Sequence, residues 1–123
     1  MTRNLISIVD DDESVRRTTT FLIESFGFHG GAFESAEEFL TSSHLNDTSC
    51  LIVDISMPGM NGLQLQSHLA AAASRIPVIF ITAYDHDESR RQAMQAGAVA
   101  ILGKPFSDEQ LLQIVRSALH EIQ

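Results

Sequence analysis

Four consecutive acids interrupt an apolar run near the start of the chain, Ile8-Val9-Asp10-Asp11-Asp12-Glu13. Single polar residues close three later apolar runs: Asp54 after Cys50-Leu51-Ile52-Val53, Thr82 after Val78-Ile79-Phe80-Ile81, and Lys104 after Ala98 to Leu102. If each run is a strand, every one of these residues stands at a carboxyl end, and all converge on one edge of a sheet. Asp10, Asp11 and Asp54 would then share a pocket. Carboxylates gathered so closely repel, and burial raises their pKa values. A bound cation resolves the conflict. Oxygen-only donors select a hard metal such as Mg²⁺, with Mn²⁺ able to substitute. The pocket offers no thiolate or paired histidines for zinc.

A threonine hydroxyl and a lysine ammonium facing such a metal can hold phosphoryl oxygens. Asp54, central in the set, is the expected nucleophile, and attack through its carboxylate gives an acyl phosphate. Phosphoryl transfer asks mainly for positioning and charge neutralisation, which this set supplies.

The elements that must position these groups follow from periodicity. Strands are expected at Leu5 to Val9, Phe28 to Phe33, Cys50 to Val53, Val78 to Ile81 and Ala98 to Leu102. The third and fourth are continuous apolar runs, as in a parallel sheet covered on both faces. The second carries Gly30 and Gly31 and suits an edge. Between them, Val15, Leu22 and Phe26 recur at helical spacing and stop at Gly27. Ser35-Ala36-Glu37-Glu38 and Ser107-Asp108-Glu109-Gln110 read as capping boxes. Leu65 and Leu69 lead a helix into Ala70 to Ala73. Asp87 to Ala96 reads as a polar helix closed by Gly97, and Leu111, Leu112, Val115 and Leu119 form an amphipathic stripe. Strict alternation predicts a doubly wound, flavodoxin-like α/β domain over residues 1–123. Its five parallel strands take the order 2-1-3-4-5, flanked by five helices.

With those residues in place, the chain resembles the receiver domain of two-component response regulators from about Ile6 to Leu119. The marks are Val9-Asp10-Asp11, Val53-Asp54 with Met57-Pro58-Gly59-Met60-Asn61-Gly62 behind it, Ile81-Thr82-Ala83, and Lys104-Pro105-Phe106. The resemblance implies that Asp54 accepts a phosphoryl group from a histidine kinase or phosphotransfer protein. It also implies that Asp10, Asp11, Asp54 and the Ser56 carbonyl hold Mg²⁺, that Thr82 and Lys104 bind the phosphoryl group, and that Pro105 follows a cis peptide. Pro58, Gly62 and Pro105 are expected in turns. Such a domain catalyses its own phosphorylation and dephosphorylation and is otherwise no enzyme. The stretch Phe33 to Leu40 resembles receivers with a C-terminal helix-turn-helix, DNA-binding output domain, and homodimerisation on phosphorylation is a further expectation.

Three positions depart from, or modulate, the family pattern. Many receivers carry an aromatic switch residue three before the lysine; here it is Ile101, which has no hydroxyl and limited χ1 freedom. Ser56 and Tyr84 flank the acceptor and threonine where the family tunes hydrolysis, and the Tyr84 ring is expected to shield the acyl phosphate.

Competing readings are weighed on the same residues. A haloacid-dehalogenase-type hydrolase needs a second acid two residues after the nucleophile, where this chain has Ser56. A phosphorylation-independent pseudo-receiver is disfavoured by the intact acid set, although Ile101 keeps it in play. Asp12 and Glu13 read as the helix start rather than metal ligands. Cys50 is expected to pack as a small hydrophobe, and the five histidines show no ligand spacing. The net charge of −8 argues against direct nucleic-acid binding. Without a long apolar run or a secretory leader, no membrane contact and a cytoplasmic location are expected.

Overall fold

The computed structural model describes residues 4–83 and 87–120. Its elements alternate as expected: β1 Leu5–Val9, α1 Glu13–Ser25, β2 His29–Phe33, α2 Ala36–Leu40, β3 Thr48–Asp54, α3 Gly62–Ala71, β4 Val78–Thr82, α4 Asp87–Gln95, β5 Ala100–Gly103 and α5 Asp108–His120. All strand pairs are parallel, and their order is β2-β1-β3-β4-β5.

Side chains leave a strand alternately to its two faces, and the core divides accordingly. Ile6, Ile8, Cys50, Ile52, Ile79, Ile81 and Leu102 pack with Ile23 of α1 and Leu111 and Val115 of α5. Val9, Leu51, Val53, Phe80 and Ile101 pack on the other face, with Phe39 of α2, Leu65 and Leu69 of α3, and Ala93 of α4. Both faces are covered, which explains why β3 and β4 read as unbroken apolar runs. Cys50 is fully buried, and that burial pushes its thiol up to about 12.

β2 is an edge strand, and its glycines let other groups approach it closely. A Cβ on Gly30 would stand 2.9 Å from Thr20 Cγ2 of α1, and one on Gly31 would stand 2.9 Å from His44 Nδ1. The register of β1 with β3 shifts between Leu5 and Ile6, so that Leu5 faces Thr48 and Ile6 faces Cys50. Ser49 is the extra residue. The bulge re-aims Thr48, whose hydroxyl meets that of Ser7 at 2.7 Å.

Several expected boundaries move. β3 begins two residues earlier and includes Asp54, β2 starts at His29, and β5 starts at Ala100 and includes Gly103. Ala98 and Val99 precede β5: Ala98 N–H closes α4 by donating to the Ala93 carbonyl, while Val99 N–H bonds the Val78 carbonyl. The larger correction is at Ala70 to Ala73. α3 ends at Ala71, and Ala73 takes a left-handed φ of 59°. Ser74 N–H reaches the Leu69 carbonyl and Ala73 N–H the Ala70 carbonyl, the paired bonds of a Schellman ending. α1 and α4 close with the same bonds, and there Gly27 and Gly97, each at φ 97°, occupy the left-handed position. Helix propensity therefore overran the end of α3 because no glycine marks it.

The Ser107–Gln110 box forms in both directions. At α2 the bond formed is that from Glu38 N–H to Ser35 Oγ. A third box, Asn61 with Gln64, opens α3, and its N-x-x-Q spacing is legible in the sequence. No described helix is long and apolar enough to cross a membrane.

Candidate phosphoacceptor and metal site

The carboxyl ends of β1, β3 and β5 bring the acids and the lysine together. One carboxylate oxygen from each of Asp10, Asp11 and Asp54 lies within 4.8 Å of the others. Asp10 and Asp54 are buried, and Asp11 is exposed. Lys104 Nζ stands 3.2 Å from Asp54 Oδ2 and 3.5 Å from Asp10 Oδ2, so one ammonium spans two of the three acids.

Backbone bonds beyond the last strand pairs fix the ends from which these side chains project. Asp10 N–H donates to the Phe33 carbonyl, Ile55 N–H to the Ile81 carbonyl, and Lys104 N–H to the Thr82 carbonyl. Asp10 Oδ1 accepts from Asp12 N–H at 2.9 Å, and Asp54 Oδ1 accepts from Ser56 N–H at 2.9 Å. These are Asx-type turns, which orient a carboxylate through the next two residues of its own chain. In both cases Oδ2 is left to face Lys104.

Burial is the main cause that lifts the Asp10 pKa above its ordinary value; Asp54 and Asp11 add to the rise, while the Asp12 N–H and Lys104 oppose it. At Lys104, burial pulls the ammonium down, but Asp54 and Asp10 more than offset it, and its pKa rises. The three carboxylates outnumber the single ammonium. An oxygen-only donor set with excess negative charge fits a hard divalent cation.

Thr82 closes β4, is buried, and pairs in register with Gly103, one residue from Lys104. Ile101 is buried opposite Phe80 in the core. The Lys104–Pro105 peptide is cis. Pro58 lies in the exposed β3–α3 connection, where Gly59 adopts φ 73°. Gly62, expected in a turn, is instead the first residue of α3. A Cβ there would stand 2.6 Å from the backbone oxygen of Asp54 and 3.1 Å from the Phe80 ring, so glycine lets α3 start against the acceptor strand. Ser56 is exposed. Tyr84, and with it the expected shielding role, lies outside the described residues, as does His86.

Asp12 is not part of the acid cluster. It caps α1, its Oδ1 accepting from Val15 N–H at 3.1 Å. Two further residues contact the loops of the site without having been anticipated. Arg16 donates from Nη1 to the Asp10 carbonyl at 2.8 Å. Glu37 of α2 accepts from Met60 N–H at 3.4 Å in the β3–α3 connection. Neither has a local spacing signal, because both contacts depend on where a helix is laid against the sheet edge.

Comparison with known proteins bears on the family and the fold. The family model described as the response regulator receiver domain matches residues 6–116. The chain belongs to that family. It is 43% identical over 117 residues to nodulation protein W of Bradyrhizobium diazoefficiens, covering 95% of this chain and 52% of that protein. It is 38% identical over 116 residues to response regulator protein TodT of Pseudomonas putida, covering 94% and 51% respectively. Among solved structures, the response regulator StyR superposes with a TM-score of 0.88 at 38% identity, over 97% of this chain and 60% of that one. The FixJ-N crystal structure gives 0.87 at 34% identity, over 98% and 96%. The Vibrio cholerae chemotaxis protein CheY4, at 22% identity, shares the fold with a TM-score of 0.88. The chain spans about half the length of these curated relatives. Receiver domains are signalling domains rather than enzymes with an independent substrate.

Proposed function

We propose that Asp54 is the phosphoacceptor of this receiver. The observation that carries the reading is the convergence of Asp54, Asp10, Asp11 and Lys104 at one end of the sheet. In the transfer, a carboxylate oxygen of Asp54 bonds to phosphorus as the N–P bond of a phosphohistidine breaks, and the departing imidazole takes up a proton. Asp10, Asp11, Asp54 and the Ser56 carbonyl would hold Mg²⁺, which when bound supplies positive charge to the acids and to the phosphoryl oxygens.

The protein's own groups do the rest. The Ser56 N–H on Oδ1 and the Lys104 ammonium on Oδ2 fix the acceptor carboxylate, so that it meets the donor in one orientation. Lys104 then follows the charge to the phosphoryl group, leaving Asp54 Oδ2, and Thr82 binds a further phosphoryl oxygen. Ile101 can report this only through packing against Phe80 and its neighbours, because it brings no ring or hydroxyl. The donor is a histidine kinase or phosphotransfer protein. In a longer parent protein the response would pass to a DNA-binding output domain; the relative FixJ of Bradyrhizobium diazoefficiens is named a transcriptional regulatory protein.

Incubation with acetyl phosphate and Mg²⁺, followed by intact mass measurement, tests the assignment. One phosphoryl adduct is expected, absent in Asp54→Asn and absent when EDTA replaces Mg²⁺. An adduct that persists in Asp54→Asn would overturn it.

A further inference from the structure

Arg16 sits one turn into α1, half-buried, and its guanidinium turns back to the end of β1, where Nη1 meets the Asp10 carbonyl oxygen at 2.8 Å. Its own N–H donates to the Asp12 carbonyl at 2.9 Å. One residue therefore grips the β1–α1 turn at both ends of the three-acid run. The Asp10 carbonyl lies one residue past the last β1–β3 pair, Val9 with Val53, and so falls outside the registered pairs of the sheet.

We infer that Arg16 is a positioning residue for the metal site, an inference that rests on the reading that Asp10, Asp11 and Asp54 hold Mg²⁺. The peptide unit explains how. The Asp10 carbonyl and the Asp11 N–H belong to one rigid plane. Holding the oxygen of that plane sets its tilt, and the tilt sets the direction in which the Asp11 side chain departs. The Asp12 N–H on Asp10 Oδ1 fixes the preceding carboxylate from the same turn. Arg16 thus orients the exposed acid, Asp11, which has no such turn bond of its own among those described, toward its two buried neighbours. A charged donor to a backbone oxygen is a strong hydrogen bond, and the groups behind metal ligands commonly control affinity in this way.

Arg17 provides the control. It is adjacent, exposed and of equal charge, so its removal changes the net charge identically without touching the turn. Mg²⁺ binding to the unphosphorylated chain is measured by isothermal titration calorimetry for the parent, Arg16→Ala, Arg16→Lys and Arg17→Ala. Arg16→Ala is expected to weaken Mg²⁺ by about tenfold or more, and Arg17→Ala by less than about twofold. Arg16→Lys, which keeps a charged donor, should recover part of the loss. In phosphorylation by acetyl phosphate, the half-saturating Mg²⁺ concentration of Arg16→Ala should rise by the same factor. Its rate at saturating Mg²⁺ should return close to that of the parent, which a merely damaged fold would not do. Equal affinities in Arg16→Ala and Arg17→Ala would overturn the inference. If Arg16→Ala lacks a cooperative unfolding transition, Arg16→Gln against Arg17→Gln decides by the same criterion. A parent chain that binds no Mg²⁺ would instead overturn the reading of the acids themselves.

Discussion

Two buried polar clusters straddle β1 and β3, and they end differently. In the first, Thr48 donates its hydroxyl proton to the His44 carbonyl at 2.7 Å, which leaves Ser7 to donate to Thr48 Oγ1, also at 2.7 Å. Every group in that chain is neutral and each proton has a destination inside the fold. In the second, Asp10 and Asp54 share one lysine, and exposed Asp11 adds a third negative charge. Burying unbalanced charge is costly, whereas burying a hydrogen-bonded hydroxyl is not. The first cluster is complete as the chain folds. The second is left with an excess of negative charge, and this separates the proposed functional cluster from the structural one on the same two strands.

The sharpest way to break that comparison is to ask which cluster responds to a cation. Mg²⁺ at ten times its dissociation constant should stabilise the parent by about 1.4 kcal/mol through mass action, read as a shift of the urea or thermal midpoint. Asp11→Ala should abolish both Mg²⁺ binding and this shift. Thr48→Val should keep the whole shift from its lower starting point. A normal Mg²⁺ response in Asp11→Ala would place the cation elsewhere.

Much of the second cluster was legible in the sequence, and little of the first. Asp10, Asp54, Thr82 and Lys104 each follow an apolar run, so the strand pattern alone carried them to one edge. Ser7 and Thr48 gave no such sign. Their meeting depends on the bulge at Ser49, and a one-residue change of register has no counterpart in periodicity. Arg16 was hidden for a related reason, since its partner is a backbone carbonyl and the composition of the motif says nothing of it. Gly62 was read as a turn glycine, but what requires it is the backbone oxygen of Asp54, a contact between strand and helix. The misplaced end of α3 shows the converse: Ala73 adopts the conformation that glycine marks at α1 and α4, and an alanine there looks like more helix.

The two clusters should also answer to substitution with opposite signs. Thr48→Val leaves the Ser7 hydroxyl without its partner in the core, while the His44 carbonyl keeps the Asp47 N–H, and should cost about 1–3 kcal/mol. Adding Ser7→Ala should return part of that loss, because fewer polar groups then remain unpaired. Asp10→Asn should do the reverse and raise the urea midpoint of metal-free protein at neutral pH. Burial lifts the Asp10 pKa above 3.8, so the folded chain holds this proton more tightly than the unfolded one. Stability therefore falls as pH rises from the unfolded value through the folded one, and above the folded value the cost is complete. The amide removes that cost and keeps an oxygen for the Asp12 N–H. Its advantage should disappear as pH drops below 3.8. An Asp10→Asn variant less stable than the parent at neutral pH without metal would mean that the Lys104 contact outweighs desolvation.

The smallest effect tests where the acid cluster stops. Asp12 is next to Asp11 in sequence and is also exposed, yet its carboxylate turns to Val15 N–H at the start of α1. Replacing it with alanine removes a helix cap and should cost about 1 kcal/mol. The tie between this residue and the site runs through its backbone, since Asp12 N–H is the donor to Asp10 Oδ1, and alanine retains that N–H. Mg²⁺ affinity in Asp12→Ala should therefore stay close to that of the parent while the urea midpoint falls. If affinity dropped as far as in Asp11→Ala, the charge of the whole run, rather than the direction of two carboxylates, would govern the cation, and the boundary between ligand and cap would lie one residue later than the geometry puts it.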